Sequence, residues 1–127
     1  MKQRIGENLL ATKSGSDIYI PDRGHIIWID FDPQAGHEHN KRRPAIVISP
    51  MIYNAKKRSL ALVCPVTSRI SGYPFEVLLP EAMKTKGAIL SDQLKSFDWK
   101  ARNAIFLEEA PQSILLKVIA KLKMLFP

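Results

Sequence analysis

From Tyr19 onward the chain alternates short apolar runs with polar, turn-forming stretches, and most of the runs are too short and too β-branched for helices. His25 to Phe31 (HIIWIDF) is the first, bounded by Gly24 before it and Asp32-Pro33 after it. Pro44 to Ser49 (PAIVIS) is a continuous apolar run closed by Pro50. Leu60 to Val66 (LALVCPV) is a third, in which Pro65 argues for a strand edge or a bulge, because proline has no N–H to give to a ladder. Phe75 to Leu79 follows the turn signal Ser71-Gly72, Ala88 to Ser91 continues the series, and Ala104 to Leu107 adds a further expected strand. Short strands separated by turns predict a small, strongly curved sheet or barrel.

After Pro111 the period changes. Ile114, Leu115, Val118, Ile119, Leu122, Leu125 and Phe126 recur at helical spacing, with Lys117, Lys121 and Lys123 on the other side. Lysines near a helix C-terminus offset its partial negative charge, and Pro111 suits a first helical position. The pattern predicts a C-terminal helix laid on the sheet, giving a mainly β fold of the α+β class. Residues 1–18 lack periodicity, and Lys13-Ser14-Gly15-Ser16-Asp17 reads as linker. A flexible tail over 1–18 and one domain over 19–127 are therefore expected.

Composition adds bounds. At 127 residues, 46% hydrophobic and 24% charged, the chain suits one domain with one core. No apolar run approaches the ~18 residues that a membrane-spanning helix needs. Leu9-Leu10-Ala11 is too short for the core of a signal peptide, and Cys64 alone cannot form an internal disulfide. A soluble, cytoplasmic protein is the expectation.

Charge changes the picture more. The net charge is +7 with a pI near 9.7, and from His39 to Phe75 there is no acidic residue. Lys41, Arg42, Arg43, Lys56, Lys57, Arg58 and Arg69 fall in that stretch, while the remaining twelve basic residues are matched by twelve acidic ones. The whole excess thus comes from one segment. Clustered Lys and Arg gain affinity for nucleic acid by releasing its counterions, so this segment reads as a phosphate-binding face rather than a merely solvated one.

The segment opens in a long polar connection, Asp32-Pro-Gln-Ala-Gly-His-Glu-His-Asn-Lys-Arg-Arg43, longer than a hairpin requires. Its residues support three chemistries. His37 and His39 with Asp30 or Asp32 could ligate a metal, although no Cys pair or HExxH spacing accompanies them. Glu38 with either histidine could form a general acid–base pair. Arg43 could hold the charge that builds on an attacked phosphate, since a guanidinium meets two oxygens at once. Arg43 directly precedes Pro44 and the apolar strand, so its backbone should be fixed, whereas Lys41 and Arg42 should be more mobile. A structural ion pair is the competing role for Arg43.

At the end of the third strand stand Val66-Thr67-Ser68-Arg69, two hydroxyls and a guanidinium that could bind a phosphate or simply form a turn. No glycine-rich phosphate loop or GxSxG elbow occurs. Trp28, Tyr73, Phe75 and Trp99 could stack on bases, and Tyr73 is favoured because it follows Ser71-Gly72 at a loop tip.

Taken in order, these pieces resemble the MazF/PemK family of toxins. The resemblance is carried by Tyr19-Ile-Pro-Asp22, Gly24, Ile27 to Pro33, Gly36-His-Glu38, Arg43-Pro44-Ala45, Ser49-Pro50 with Tyr53-Asn54, Pro65-Val-Thr67-Ser68, Gly72 to Val77 and Asp92-Gln93-Leu-Lys95-Ser96. It runs from about Tyr19 to the C-terminus and is nearest to the MazF branch. It implies an SH3-like, strongly bent sheet of the PemK/MazF and CcdB type with a C-terminal helix, acting as a homodimer. It implies sequence-specific, metal-independent cleavage of single-stranded RNA, chiefly mRNA, with no cofactor, and a cognate antitoxin whose acidic, disordered segment occupies the RNA groove.

By the same resemblance the catalytic positions fall on Arg43, Thr67 and Glu38. Asp92 and Gln93 line the substrate site, and Trp28, Lys41, Arg42, Ser68, Arg69, Tyr73 and Lys95 are the further candidates for RNA contact. Some PemK-type relatives carry a catalytic arginine two residues before that aspartate, where this chain has Leu90, so the Arg43 and Thr67 arrangement fits better. The expected reaction is attack of the RNA 2′-OH on the adjacent phosphorus, giving a 2′,3′-cyclic phosphate and a 5′-OH. Arginine as a residue type is a poor base near neutrality, its ordinary pKa lying above ~12, which leaves Glu38 or a nearby histidine for that role. Two other readings stay open: a non-catalytic toxin of the same fold aimed at a protein such as gyrase, and a metal-dependent nuclease using the His37/His39 loop.

Overall fold

The computed structural model describes residues 19–31 and 42–126. The expected tail over 1–18 lies outside the described residues, as does the part of the polar connection holding Asp32, His37, Glu38, His39 and Lys41. Among the described residues, seven strands and two helices follow in order: β1 (His25–Asp30), β2 (Arg42–Val47), the single turn α1 (Met51–Asn54), β3 (Leu60–Thr67), β4 (Glu76–Leu78), β5 (Ala88–Leu90), β6 (Lys95–Asp98), β7 (Ile105–Glu109) and α2 (Gln112–Lys123). Every pairing is antiparallel, in the spatial order β4-β5-β3-β2-β1-β7, with β6 also paired to β3.

The continuous apolar runs in β1 to β3 are explained by burial on both faces. One face packs Ile26, Ile46, Cys64, Val66, Val77 and Ile89 beneath Ile114, Leu115, Val118 and Leu122 of α2. The other packs Ile27, Ile29, Ala45, Val47, Ala61 and Val63 against Phe97 and Trp99. A fully buried Ile or Val contributes roughly 1.5–3 kcal/mol, so strands covered twice gain most from having no polar residue. Pro111 occupies the N-cap position of α2 and Lys121 and Lys123 its last turn. Leu125 and Phe126, part of the apolar spacing, lie beyond Lys123 and are exposed.

Pro65 corrects the reading of the third strand. It lies inside the most extensively paired strand of the sheet rather than at an edge, facing Ala45 on the β2 side. On the other side β3 changes partner: β6 pairs with it from Leu60 to Val63, and β5 from Val66 to Thr67. Ile48 N–H bonds the Leu62 carbonyl in the β2 ladder. By alternation, the backbone groups of Leu62 and Cys64 then point to β2, and those of Pro65 point into the gap between β6 and β5. The missing N–H of proline falls where no rung is required. Strand β6, with the sequence Lys-Ser-Phe-Asp, has a single buried position, Phe97, and was hidden from any hydrophobic pattern.

Candidate functional site

The partner change at Pro65 gathers most of the candidate residues. The Ser91–Leu94 connection between β5 and β6 crosses that gap, and the Cys64 thiol lies 3.7 Å from the Ser91 carbonyl oxygen. Asp92 and Gln93 are therefore placed beside Pro65, with Lys95 opening β6 opposite Val63 and Thr67 opposite Ala88. On the other flank, Arg43 pairs with Ile29 in β1. Continuing the β2–β3 register two residues past the Ala45–Pro65 pair would set Arg43 opposite Thr67. The β2–β3 rungs end at Ala45–Pro65, so Arg43 and Thr67 lie just past the last rung, where the two strands part, while β3 holds β5 along its other edge.

Arg43 is exposed, and its guanidinium carbon lies 5.9 Å from the centre of the Phe31 ring. Phe31 meets Phe97 edge to face at 5.0 Å, and Arg102 covers Phe97 at 4.1 Å while donating to the Asp30 and Phe31 carbonyls at 3.1 and 2.7 Å. A cation resting on a ring held this way has a firm base and a solvent-facing fork. The Thr67 hydroxyl oxygen accepts the Arg69 N–H at 3.0 Å. With that lone pair engaged, the hydroxyl hydrogen remains for donation to an anion. Ser68 and Arg69 are exposed directly after it.

Tyr73 is 46% exposed, and its hydroxyl donates to Asp92 Oδ2 at 2.8 Å, so two separate candidates meet. That bond, then burial and the Asp92 charge, push the Tyr73 phenol up from its ordinary value. Burial and the same carboxylate push the Cys64 thiol up to about 12, which makes it a core residue and a poor nucleophile. Gln93 and Lys95 are exposed.

Arg42 and Trp28 are placed differently. Arg42 is the first residue of β2 rather than a mobile loop residue, and its Nε lies 3.4 Å from Asp30 Oδ1. It also donates to the Asn103 carbonyl at 3.1 Å and sits 5.8 Å over the Trp28 ring. Arg42 thus makes a structural ion pair of the kind considered for Arg43. By strand alternation Arg42 and Trp28 share the face opposite Arg43, where Trp28 lines a shallow groove with Pro44, Lys84, Thr85, Lys86 and Leu107. Trp99 is buried and donates its ring N–H to the Asn54 carbonyl, so it is a core residue.

Gly87 adjoins the candidate site and was missed by the sequence reading. It has φ +119, and a β-carbon there would lie 2.1 Å from the Thr67 carbonyl oxygen. A glycine immediately before an apolar strand was the available signal. Among the described residues no three His, Cys, Asp or Glu side chains gather as a metal site would need, and the His37/His39 loop lies outside them. No helix among the described residues is long and apolar enough to cross a membrane.

Comparison with known proteins agrees with this architecture. A family model described as PemK-like, MazF-like toxin of type II toxin–antitoxin system matches residues 22–126. The endoribonuclease toxin MazF of Escherichia coli K12 is 48% identical over 86 residues, covering 68% of this chain and 76% of that protein. The crystal structure of MazF (Form-I) from Deinococcus radiodurans superposes with a TM-score of 0.77 at 50% identity, over 85% of this chain and 97% of that one. A MazE–MazF complex (Form-II) from the same organism gives 0.75 at 44% identity, over 85% and 96%. The chain belongs to the PemK-like, MazF-like toxins of type II toxin–antitoxin systems.

Proposed function

We propose that this toxin is an endoribonuclease that cuts single-stranded RNA, mRNA above all, by directing the 2′-OH at its own phosphodiester. The observation that carries the reading is the placement of Arg43 and Thr67 on β2 and β3 at the point where those strands part beside Pro65. A phosphate seated between them would meet a guanidinium fork from one strand and a hydroxyl donor from the other. The 2′-oxygen forms a bond to phosphorus as the bond to the 5′-oxygen breaks, leaving a 2′,3′-cyclic phosphate and a 5′-OH. One proton leaves the 2′-OH and one reaches the departing 5′-oxygen. Electrostatic stabilisation and in-line geometry supply the acceleration, and no cofactor enters the balance.

In this scheme Arg43 holds the non-bridging oxygens, Thr67 donates to the phosphate with Ser68 in support, and Glu38 takes the proton. Arg69, Gln93 and Lys95 lie along the backbone path, Lys41 is a further candidate for RNA contact, Tyr73 and Asp92 meet a base, and Arg42 with Trp28 serve the opposite face. DNA lacks the nucleophile and should not react. The toxin acts in the cytoplasm as a homodimer, restrained by a cognate antitoxin whose acidic, disordered segment competes with RNA for the basic groove. Solved MazE–MazF complexes are similar to this chain.

The test is incubation of the protein with a single-stranded RNA, and with the same sequence as DNA, in excess chelator. Cleavage of RNA alone to cyclic-phosphate ends is expected, and loss of most activity in Arg43→Ala and Thr67→Ala. Activity abolished by chelator, or an Arg43→Ala variant that cuts at full rate, would overturn the mechanism.

A further inference from the structure

The Ser71–Phe75 loop carries Tyr73 to Asp92, yet hydrophobic packing does not hold it in place. Ile70 to Pro74 are all exposed. An exposed five-residue loop would sample many conformations unless polar contacts restrained it.

Two side chains from outside the loop supply those contacts. The Glu76 carboxylate, at the start of β4, accepts the Ser71 N–H at 3.2 Å, the Ser71 hydroxyl at 2.9 Å and the Gly72 N–H at 3.0 Å. Its own N–H returns a bond to the Tyr73 carbonyl at 2.9 Å. Gly72 makes the turn at φ +80. From α2, Lys121 Nζ donates to the Pro74 carbonyl at 2.6 Å. Burial alone would raise the Glu76 carboxyl, but the bonds from Ser71, Gly72 and Tyr73 outweigh it and hold it below its ordinary range.

We propose that Glu76 and Lys121 are positioning residues for RNA binding, building the loop that presents Tyr73 as a fixed platform beside Asp92. The proposal rests on the RNA-cleaving reading. A platform ordered before binding spares the bound RNA the cost of ordering it, which lowers KM without touching the reacting phosphate. The Tyr73 ring, tilted 45° on Phe75 with centres 5.9 Å apart, is exposed, and a base could stack on it.

The experiment measures KM and kcat separately for a single-stranded RNA in chelator, using the full chain and the variants Glu76→Gln, Lys121→Met, Lys121→Arg, Tyr73→Ala and Glu76→Gln/Tyr73→Ala. Glu76→Gln and Tyr73→Ala should each raise KM about tenfold, the scale of one lost base stack, with kcat within about twofold. The double variant should be no worse than Tyr73→Ala alone, because Glu76 acts through Tyr73. Lys121→Met should raise KM less, and Lys121→Arg should restore it. The thermal midpoint of Tyr73→Ala should not move, and that of Glu76→Gln should fall only slightly at neutral pH, because its depressed carboxyl lies near the surface. An unchanged KM in Glu76→Gln, or effects of Glu76 and Tyr73 that multiply, would overturn the proposal. Wild-type protein that neither cuts nor binds RNA would remove the underlying reading and this proposal with it, and is recognised by its independence of both residues.

Discussion

Gly87 runs so close to Thr67 that a β-carbon on it would lie 2.1 Å from the Thr67 carbonyl oxygen and 3.4 Å from the Ser68 α-carbon. The contact is backbone against backbone, so no side chain can swing aside to relieve it. A φ of +119 is also a conformation that L residues other than glycine rarely adopt. Gly87→Ala should therefore lower stability by about 1–3 kcal/mol. It should also push Thr67 away from the proposed phosphate position, and a displacement near 1 Å costs on the order of 100-fold in rate. Urea unfolding and RNA cleavage on the same sample measure the two effects. A variant as stable and as active as the parent would remove Gly87 from the site.

Strands β1 to β3 and helix α2 were legible in the sequence because burial on one or both faces writes itself as an apolar run or a helical stripe. Strand β6 was not, because only Phe97 of its four residues is buried and its pairing to β3 is a backbone event. Pro65 was legible as an anomaly but its meaning was not. A proline in a strand signals a missing rung, and only the partner change from β6 to β5 shows why none is needed there. The candidates Arg43 and Thr67 stood out by residue type at strand ends, and an ordered resemblance gave them roles and added Asp92 and Gln93; a resemblance carries positions but not contacts. Neither the anchoring of Arg42 on Asp30 nor the Tyr73–Asp92 bond has a signature in spacing, since each joins residues far apart in the chain.

Asn54 is fully buried and joins three segments. Its amide donates to the Pro21 carbonyl at 2.8 Å and the Ser49 carbonyl at 2.9 Å, and its side-chain oxygen accepts the Ser49 hydroxyl at 2.5 Å. The Ser49 hydroxyl oxygen in turn accepts the Leu62 N–H at 2.9 Å. Asn54→Ala would strand two buried carbonyls at ~1–3 kcal/mol each, so a total loss of about 3–5 kcal/mol is expected. Chemical denaturation reads it directly. A loss below about 1 kcal/mol would mean that water replaces the amide.

Glu108 fastens the loop before Gly87 to β7. Its carboxylate accepts the Thr85 N–H at 2.6 Å, the Thr85 hydroxyl and, more weakly, the Lys84 N–H at 3.2 Å. Burial alone would raise this carboxyl, but those bonds and the Lys84 charge hold it below its ordinary range. A folded value below the unfolded one means that the stabilisation is fully present above the unfolded value, near ~4.3 for glutamate, and is lost as pH falls through the depressed folded value. Glu108→Gln should thus melt below wild type at neutral pH, with the gap closing as pH falls through the depressed folded value. The gap should be modest, because the group lies near the surface and water screens it. Thermal melts of both proteins across that range give the answer, and a gap independent of pH would assign the effect to shape rather than charge.

Lys56, Lys57 and Arg58 are exposed in the turn between α1 and β3, several residues from Thr67 along the strand. If they attract RNA without touching it, they act on the rate of encounter and not on the lifetime of the complex. Replacing all three by alanine should slow association about tenfold at low salt, and the difference should vanish near ~0.5 M salt, where charges are screened beyond a few ångströms. The dissociation rate and kcat should stay as they were. Direct phosphate contacts predict the opposite pattern: faster dissociation, and a salt slope reduced by about 0.7 for each phosphate released. Stopped-flow binding of a fluorescent, non-cleavable single strand at several salt concentrations separates the two. A variant with unchanged association and faster release would move these residues from steering into the groove, and would extend the RNA path along β3 away from Pro65.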